Sequence, residues 1–134
     1  MPKAKPKTVS TISLIGMPGA GKSTLLLQTL CRLASHHTAL YVTGEESPEQ
    51  IALRASRLSL PTDQLQLMAE TAVDNILATA ESLKPKVLVV DSIQVLHSET
   101  LTSAPGSVSQ VRDCAAQLTR YAKQTGTVLI LVGH

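Results

Sequence analysis

The sequence has almost no aromatic residues: its 134 residues include no Trp, no Phe and only two Tyr. The core must therefore be built from aliphatic side chains. Modules that bind single-stranded nucleic acid commonly stack the bases on aromatic rings. The lack of such rings argues against a nucleic-acid-binding domain of that kind.

Cysteines and long apolar runs are also scarce. Cys31 and Cys114 each fall inside a predicted helix, and no C-x-x-C pair occurs. This disfavours a zinc site and predicts buried, unreactive thiols. No segment is apolar over the length that spans a bilayer, and no secretory signal pattern is present. These absences predict a cytoplasmic protein without a membrane partner.

The positive net charge of +2 comes from the N-terminal segment MPKAKPKT. Removing the charges of Lys3, Lys5 and Lys7 leaves −1 for the rest of the chain. A protein that binds DNA through its phosphates needs a cluster of cations on one face. The remainder of this sequence offers no such stripe, so the basic balance is a property of a tail.

A glycine-rich segment follows the predicted strand TISLI and precedes a leucine-rich predicted helix. Residues 16–23 read GMPGAGKS and fit G-x-x-x-x-G-K-[ST], a loop whose backbone N–H groups surround phosphate oxygens. The helix start adds unpaired N–H groups and the positive end of its dipole. The pattern predicts a site for ATP or ADP formed by Gly16, Met17, Pro18, Gly19, Ala20, Gly21, Lys22, Ser23 and Thr24.

Two residues of this loop carry specific chemistry. Lys22 is expected to reach the β- and γ-phosphates and so to take part in catalysis, and the Ser23 hydroxyl is expected to ligate Mg²⁺. Asp91 follows the apolar run VLVV, which places it at the carboxyl edge of a predicted parallel sheet. A carboxylate there commonly holds Mg²⁺ in P-loop enzymes, although an Asp can also simply end a strand.

Two adjacent carboxylates, Glu45 and Glu46, end the second predicted strand in YVTGEES. A glutamate at that edge can polarise a water for attack on a γ-phosphate. The alternative is that one or both are acidic residues favoured by the dipole at the start of the next helix. The spacing does not decide which of the two is the general base.

Short apolar runs alternate with amphipathic helical stretches along the whole chain. Repeated units of this length predict an α/β fold with a mostly parallel sheet, helices on both faces and right-handed crossovers. Helix starts are predicted by the capping box Ser47–Gln50, by a capping pattern over Thr71–Asp74 and by Ser107. Gly126 is expected to end the last helix, and residues 98–107 are expected to form a polar loop.

Several segments together resemble the ATPase core of the bacterial RadA/Sms proteins: GMPGAGKSTLLLQ, LYVTGEESPEQIALRASRL, VLVVDSIQ, SAPGSVSQVRDCA and LVGH. The resemblance covers about residues 11–134. These proteins are RecA-like P-loop ATPases of recombination and DNA repair that act on branched DNA. The resemblance implies a RecA-like sheet in which the sensor strand lies between the P-loop strand and the Walker B strand.

The resemblance also implies roles for individual residues and partners. It makes Glu45 and Glu46 the water-activating pair and places His134 where the family's γ-phosphate sensor lies. Single-stranded or branched DNA and a homo-oligomeric ring are the partners that it implies.

The family's four-cysteine zinc module, its Lys-Asn-Arg-Phe-Gly motif and its Lon-protease-like domain have no counterpart here. We therefore expect a basic flexible tail over residues 1–9 and a RecA-like P-loop ATPase core over residues 10–134. Mg²⁺-dependent ATP hydrolysis by a DNA-repair motor core is the favoured function. The alternative is a truncated or engineered nucleotide-binding core with little turnover and no DNA binding. A small-molecule kinase is less favoured, because loop 98–107 has no arginine.

Overall fold

The computed structural model describes residues 11–15, 22–34, 36–60 and 65–133, with side chains from residue 25 onward. Within these residues strands and helices alternate as the sequence predicts. The five strands are β1 (Thr11–Ile15), β2 (Ala39–Thr43), β3 (Leu65–Ala69), β4 (Val87–Asp91) and β5 (Val128–Gly133). The four α-helices are α1 (Lys22–Ala34), α2 (Pro48–Arg57), α3 (Val73–Leu83) and α4 (Val108–Thr125), and a 3₁₀ helix spans Ile93–Val95.

The strands form one sheet in the order β1-β5-β4-β2-β3, and every pairing in it is parallel. The predicted α/β class is therefore confirmed. The order also places β5 between β1 and β4, as the resemblance to RecA-like ATPases implied. Within the described residues, β1 and β3 are the outermost strands of the sheet.

Each face of the sheet is covered by two helices, so the central strands are apolar along their whole length. On one face, leucines of α1 such as Leu27 and Leu30, together with Ile51 of α2, pack against Tyr41 and Val89. On the other face, α3 and α4 pack against the residues in between, such as Leu88 and Val90. The core is aliphatic apart from two tyrosines, one on each face.

Both cysteines are fully buried, Cys31 on the face of α1 and Cys114 on the face of α4. Burial raises the pKa of Cys31, and it raises the pKa of Cys114 to about 11. Since the thiolate is the reactive form, both thiols stay protonated and unreactive at neutral pH. The prediction of buried structural cysteines is confirmed.

All three predicted helix starts are confirmed in position, and two of them have the predicted cap. Ser47 caps α2 in a full capping box with Gln50, and Ser107 caps α4 by accepting from the Gln110 N–H. Gly126 ends α4 with a left-handed φ of 74°.

The capping pattern predicted over Thr71–Asp74 is wrong. The N-cap of α3 is Ala72, whose side chain makes no capping bond. The Glu70 carboxylate lies ahead of the helix and accepts from the N–H groups of Thr71 and Ala72 at 3.0 and 3.2 Å, while the Val73 N–H donates to the His97 carbonyl. These bonds to the charged form, with one from Asn75, lower the pKa of Glu70. None of the described helices is both long and apolar enough to cross a membrane.

Candidate nucleotide-binding site

The carboxyl edge of the sheet brings together the start of α1, Asp91 and the segment with Glu45 and Glu46 that follows β2. Helix α1 begins at Lys22, soon after β1 ends at Ile15, and the register aligns the ends of β1, β5, β4 and β2. The loop Gly16–Gly21 and His134 lie outside the described residues. Of Lys22, Ser23 and Thr24, only the helical backbone is described.

Asp91 is the last residue of β4 and lies on the same face of the sheet as α1. Side chains alternate along a strand, and Val87 and Val89 pack with the leucines of α1. The Asp91 carboxylate is 9% exposed. Strand β4 is two positions from β1 in the sheet, a separation of about 10 Å. The fold thus places this carboxylate on the side of the sheet where the predicted phosphate loop leads into α1.

The Asp91 carboxylate is held by a tyrosine that sequence analysis did not identify. The Tyr41 hydroxyl donates to Oδ2 of Asp91 at 2.7 Å, and the Tyr41 side chain is 1% exposed. Burial, and then the charge of Asp91, raise the pKa of Tyr41 far above its ordinary value of 10. The phenol is therefore a fixed donor to the carboxylate at neutral pH. Tyr41 lies 50 residues before Asp91, so only the pairing of β2 with β4 reveals the contact.

A tight turn after β2 carries the predicted carboxylate pair. The Thr43 hydroxyl accepts from the N–H of Glu46 and donates to the carbonyl of the same residue. The Gly44 N–H donates to the Asp91 carbonyl at 2.9 Å. These bonds hold the turn in one conformation and attach it to the end of β4.

The turn needs glycine at position 44 because of its close approach to the 3₁₀ helix. A Cβ added to Gly44 would lie 2.2 Å from Cγ2 of Val95, well inside van der Waals contact. The missing side chain lets the backbone of the turn pack directly against the segment that follows Asp91. Local packing thus explains the glycine of TGEES.

The two glutamates of the turn have different surroundings. The Glu46 carboxylate accepts a hydrogen bond from the Arg54 guanidinium of α2, and both side chains are about one-third exposed. Glu45 is exposed at the tip of the turn. Together with Glu70, they line an open groove of about 440 Å³ beyond the ends of β2 and β3. Both side chains therefore lie beside an open groove at the carboxyl edge.

A metal ion bound here would draw few ligands from the protein itself. Among the described residues, no group of three or more His, Cys, Asp or Glu side chains could hold a metal ion. Mg²⁺ at nucleotide sites keeps several waters and binds through one or two carboxylates plus substrate phosphates. Asp91, the one buried carboxylate among the described residues, fits that type of site, with Ser23 as the second predicted ligand.

Gln110 anchors the polar loop after the 3₁₀ helix, a function that the sequence did not reveal. Its side chain is 1% exposed and accepts from the Ser98 N–H at 3.0 Å. Its amide donates to the carbonyls of Leu101 and Ser103 at 3.4 and 2.7 Å. The loop is thereby attached to α4 near the edge where Asp91 lies.

Val108, which the helical pattern placed on the apolar face of α4, is 69% exposed.

A parallel sheet with this strand order, and with a G-x-x-x-x-G-K-[ST] segment after its first strand, defines a P-loop NTPase of the RecA-like type. The chain belongs to the AAA domain family, whose model matches residues 7–134. It is similar to proteins named DNA repair protein RadA, with 60% identity in Pseudomonas aeruginosa, 57% in Escherichia coli and 45% in Bacillus subtilis. These matches confirm the resemblance seen in the sequence.

The alignments cover 93% of this chain but only 27–28% of those three relatives, so the chain spans little more than a quarter of their length. Two solved structures share the fold. A KaiC-like protein from Pyrococcus horikoshii has a TM-score of 0.73 at 21% identity, covering 93% of this chain and 61% of its own. A DnaB-like replicative helicase has a TM-score of 0.75 at 12% identity, covering 93% of this chain and 39% of its own.

Proposed function

We propose that this chain binds ATP with Mg²⁺ and hydrolyses it, as the motor core of a cytoplasmic DNA repair protein of the RadA type. The observation that carries the proposal is the meeting of three elements at one edge of the sheet. These elements are the start of α1 after the glycine-rich segment, the buried Asp91 carboxylate, and the turn with Glu45 and Glu46. Each supplies a different part of the chemistry of phosphoryl transfer.

The residues divide the work of binding between them. The backbone of Gly16–Gly21 and the Lys22 ammonium are proposed to hold the phosphates. Ser23 and Asp91 are proposed to bind Mg²⁺, which offsets negative charge on the β- and γ-phosphates. His134 is proposed to sense the γ-phosphate.

Glu45 is the carboxylate that we assign to water activation. One oxygen of Glu46 is engaged by Arg54, which ties that side chain to α2. Glu45 is exposed at the tip of the same turn, whose backbone is fixed by Thr43 and Gly44. A general base must be within hydrogen-bond reach of the attacking water, and an exposed residue on a fixed turn is placed to meet it.

The interaction with DNA is proposed to be weak for these 134 residues. Apart from the basic tail they carry a net charge of −1, and binding to DNA draws most of its strength from cations that neutralise phosphates. We therefore propose slow ATP turnover that DNA changes little. Assembly into a ring on single-stranded or branched DNA is proposed only for a longer RadA-type protein.

The kinase alternative is disfavoured by the loop over residues 98–107. A kinase lid must close over the phosphates and commonly contributes arginines. This loop contains none, and Gln110 attaches it to α4 through three hydrogen bonds.

The binding proposal is tested by calorimetric titration of ATP with Mg²⁺ into the parent chain and into Lys22→Ala. We expect the substitution to remove measurable ATP binding while leaving the fold intact, because Lys22 supplies charge to the phosphates. Lys86→Ala is the matched control: Lys86 is exposed and precedes β4 at the opposite end of the sheet. Equal affinity of Lys22→Ala and parent would contradict the phosphate-loop assignment.

The hydrolysis proposal is tested by steady-state ATPase rates with and without single-stranded DNA. Glu45→Gln is expected to lower the rate by about 10²-fold or more, the usual contribution of a general base, whereas Glu46→Gln is expected to lower it less. Turnover of several ATP per second, or strong stimulation by DNA, would show instead that these residues form a complete motor.

A further inference from the structure

We infer that Tyr41 is the positioning residue of the Mg²⁺–nucleotide site and holds the Asp91 carboxylate in place for the metal. The inference rests on the proposed function. It assigns a role to a residue that precedes the carboxylate turn and that the sequence pattern does not distinguish from other strand residues.

The contact is direct and shielded from water. The Tyr41 hydroxyl donates to Oδ2 of Asp91 at 2.7 Å, and the two side chains are 1% and 9% exposed. Hydrogen bonds to an ionised acceptor are shorter and stronger than neutral ones, the more so where water is excluded. One carboxylate oxygen is therefore fixed, which restricts rotation of the carboxyl group and sets the position of the other oxygen.

The sheet register explains why a tyrosine at this position reaches the carboxylate. Tyr41 pairs with Val89 in β4, and Asp91 lies two residues further along on the same face. The long phenol spans this diagonal from β2 to the end of β4. A leucine or valine would fill space in the aliphatic core but would bring no donor to the carboxylate.

The role is that of an outer-shell partner of a metal ligand. Such partners orient the ligand, and their loss typically weakens metal affinity 10- to 100-fold. A hydroxyl buried among aliphatic side chains is costly unless it is hydrogen-bonded. At Tyr41 that bond goes to the one carboxylate of the edge that is proposed to bind Mg²⁺.

The experiment compares Tyr41→Phe with Tyr121→Phe, which removes the other tyrosine hydroxyl. The Tyr121 hydroxyl is also buried, but it donates to the Ala80 carbonyl on the opposite face of the sheet. ATP binding is measured by calorimetry over a range of Mg²⁺ concentrations. We expect the Mg²⁺ concentration for half-maximal binding to rise about 10-fold in Tyr41→Phe and to stay at the parent value in Tyr121→Phe.

A spectroscopic measurement tests the same inference without removing Tyr41. The chain has no Trp, so in Tyr121→Phe the intrinsic emission comes from Tyr41 alone. We expect that emission to change when Mg²⁺ and ATP are added together, and to change much less in Tyr121→Phe combined with Asp91→Asn.

The outcomes separate this inference from the proposed function. A parent chain that does not bind ATP would overturn both. Mg²⁺-dependent ATP binding with the same half-maximal concentration in parent and Tyr41→Phe would overturn the inference alone. If Tyr41→Phe fails to fold, the emission decides: no response of Tyr41 to Mg²⁺ and ATP overturns the inference.

Discussion

On the face covered by α3 and α4, the buried Gln110 and Tyr121 side chains bond to the backbone, whereas on the face covered by α1 and α2 the buried Tyr41 bonds to another side chain. Gln110 joins the Ser98 N–H and two loop carbonyls, and the Tyr121 hydroxyl donates to the Ala80 carbonyl. Tyr41 donates to the Asp91 carboxylate at the edge of the sheet.

The difference separates polar groups that maintain the fold from polar groups that prepare a site. A backbone group that loses a buried partner stays unsatisfied, and this lowers the free energy of unfolding. The bond from Tyr41 to Asp91 satisfies no backbone group. A change at Asp91 that keeps an acceptor for the buried Tyr41 hydroxyl should therefore weaken Mg²⁺ binding much more than it destabilises the fold.

Gln110→Ala is expected to have the largest effect on stability, a loss of about 3 kcal/mol in the free energy of unfolding. The change leaves the Ser98 N–H and two carbonyls without their buried partner and opens a void. Urea denaturation measures the loss, with the exposed Gln124→Ala of the same helix as control. A loss below 1 kcal/mol would show that the loop does not depend on Gln110.

Asp91→Asn is expected to change the free energy of unfolding by no more than about 1 kcal/mol, because the amide oxygen still accepts from Tyr41 and a buried charge is removed. The same variant should lose most of the Mg²⁺ dependence of ATP binding. Urea denaturation and calorimetry with and without Mg²⁺ measure the two effects. A stability loss as large as that of Gln110→Ala would show that the Asp91 carboxylate maintains the fold as much as Gln110 does.

Ser92→Ala is expected to raise the free energy of unfolding by up to about 1 kcal/mol. Ser92 is 1% exposed, and its hydroxyl has no hydrogen-bond partner among the described residues. Removing an unsatisfied buried group removes its desolvation cost. Ser98→Ala is the matched control, because the Ser98 hydroxyl accepts from Gln117 at 3.0 Å. This variant should lower the free energy of unfolding. Thermal unfolding is measured for both variants. A lower melting temperature for Ser92→Ala than for Ser98→Ala would contradict the expectation.

Glu70→Gln is expected to have the smallest effect on the free energy of unfolding, and that effect should depend on pH. The lowered pKa of Glu70 means that its carboxylate stabilises the fold above its ordinary pKa of 4.5 and loses this contribution as pH falls through the lowered value. The difference in urea midpoint between parent and variant should therefore shrink between pH 7 and about pH 3. A difference that stays constant over this range would show that Glu70 does not act through its charge.

Much of the fold could be predicted because its signals are local. The strand VLVVD, the capping box at Ser47 and the left-handed Gly126 each depend on residues within a few positions of one another. The position of β5 between β1 and β4 followed from the family resemblance, since no local pattern specifies strand order.

The missed features all depend on contacts between distant parts of the chain. Tyr41 and Asp91 are 50 positions apart, and nothing in ALYVT distinguishes this tyrosine from an ordinary strand residue. Gln110 reads as a polar residue near a helix start, and its burial depends on how loop 98–107 folds back. At α3 the pattern of hydroxyl capping misled, because the N-cap is Ala72 and the Val73 N–H donates to the distant His97 carbonyl.

The central place of β5 also has a consequence for how the chain assembles during synthesis. Strand β5 pairs with β1 on one side and β4 on the other, and β1 has no other partner strand among the described residues. Strand β1 must therefore wait for a partner strand that is made more than a hundred residues after it. Closing so long a loop is slow, and it leaves β1 unpaired until β5 arrives. Strands β2, β3 and β4 can pair with one another before then, so the side of the sheet that holds β1 is the last to close.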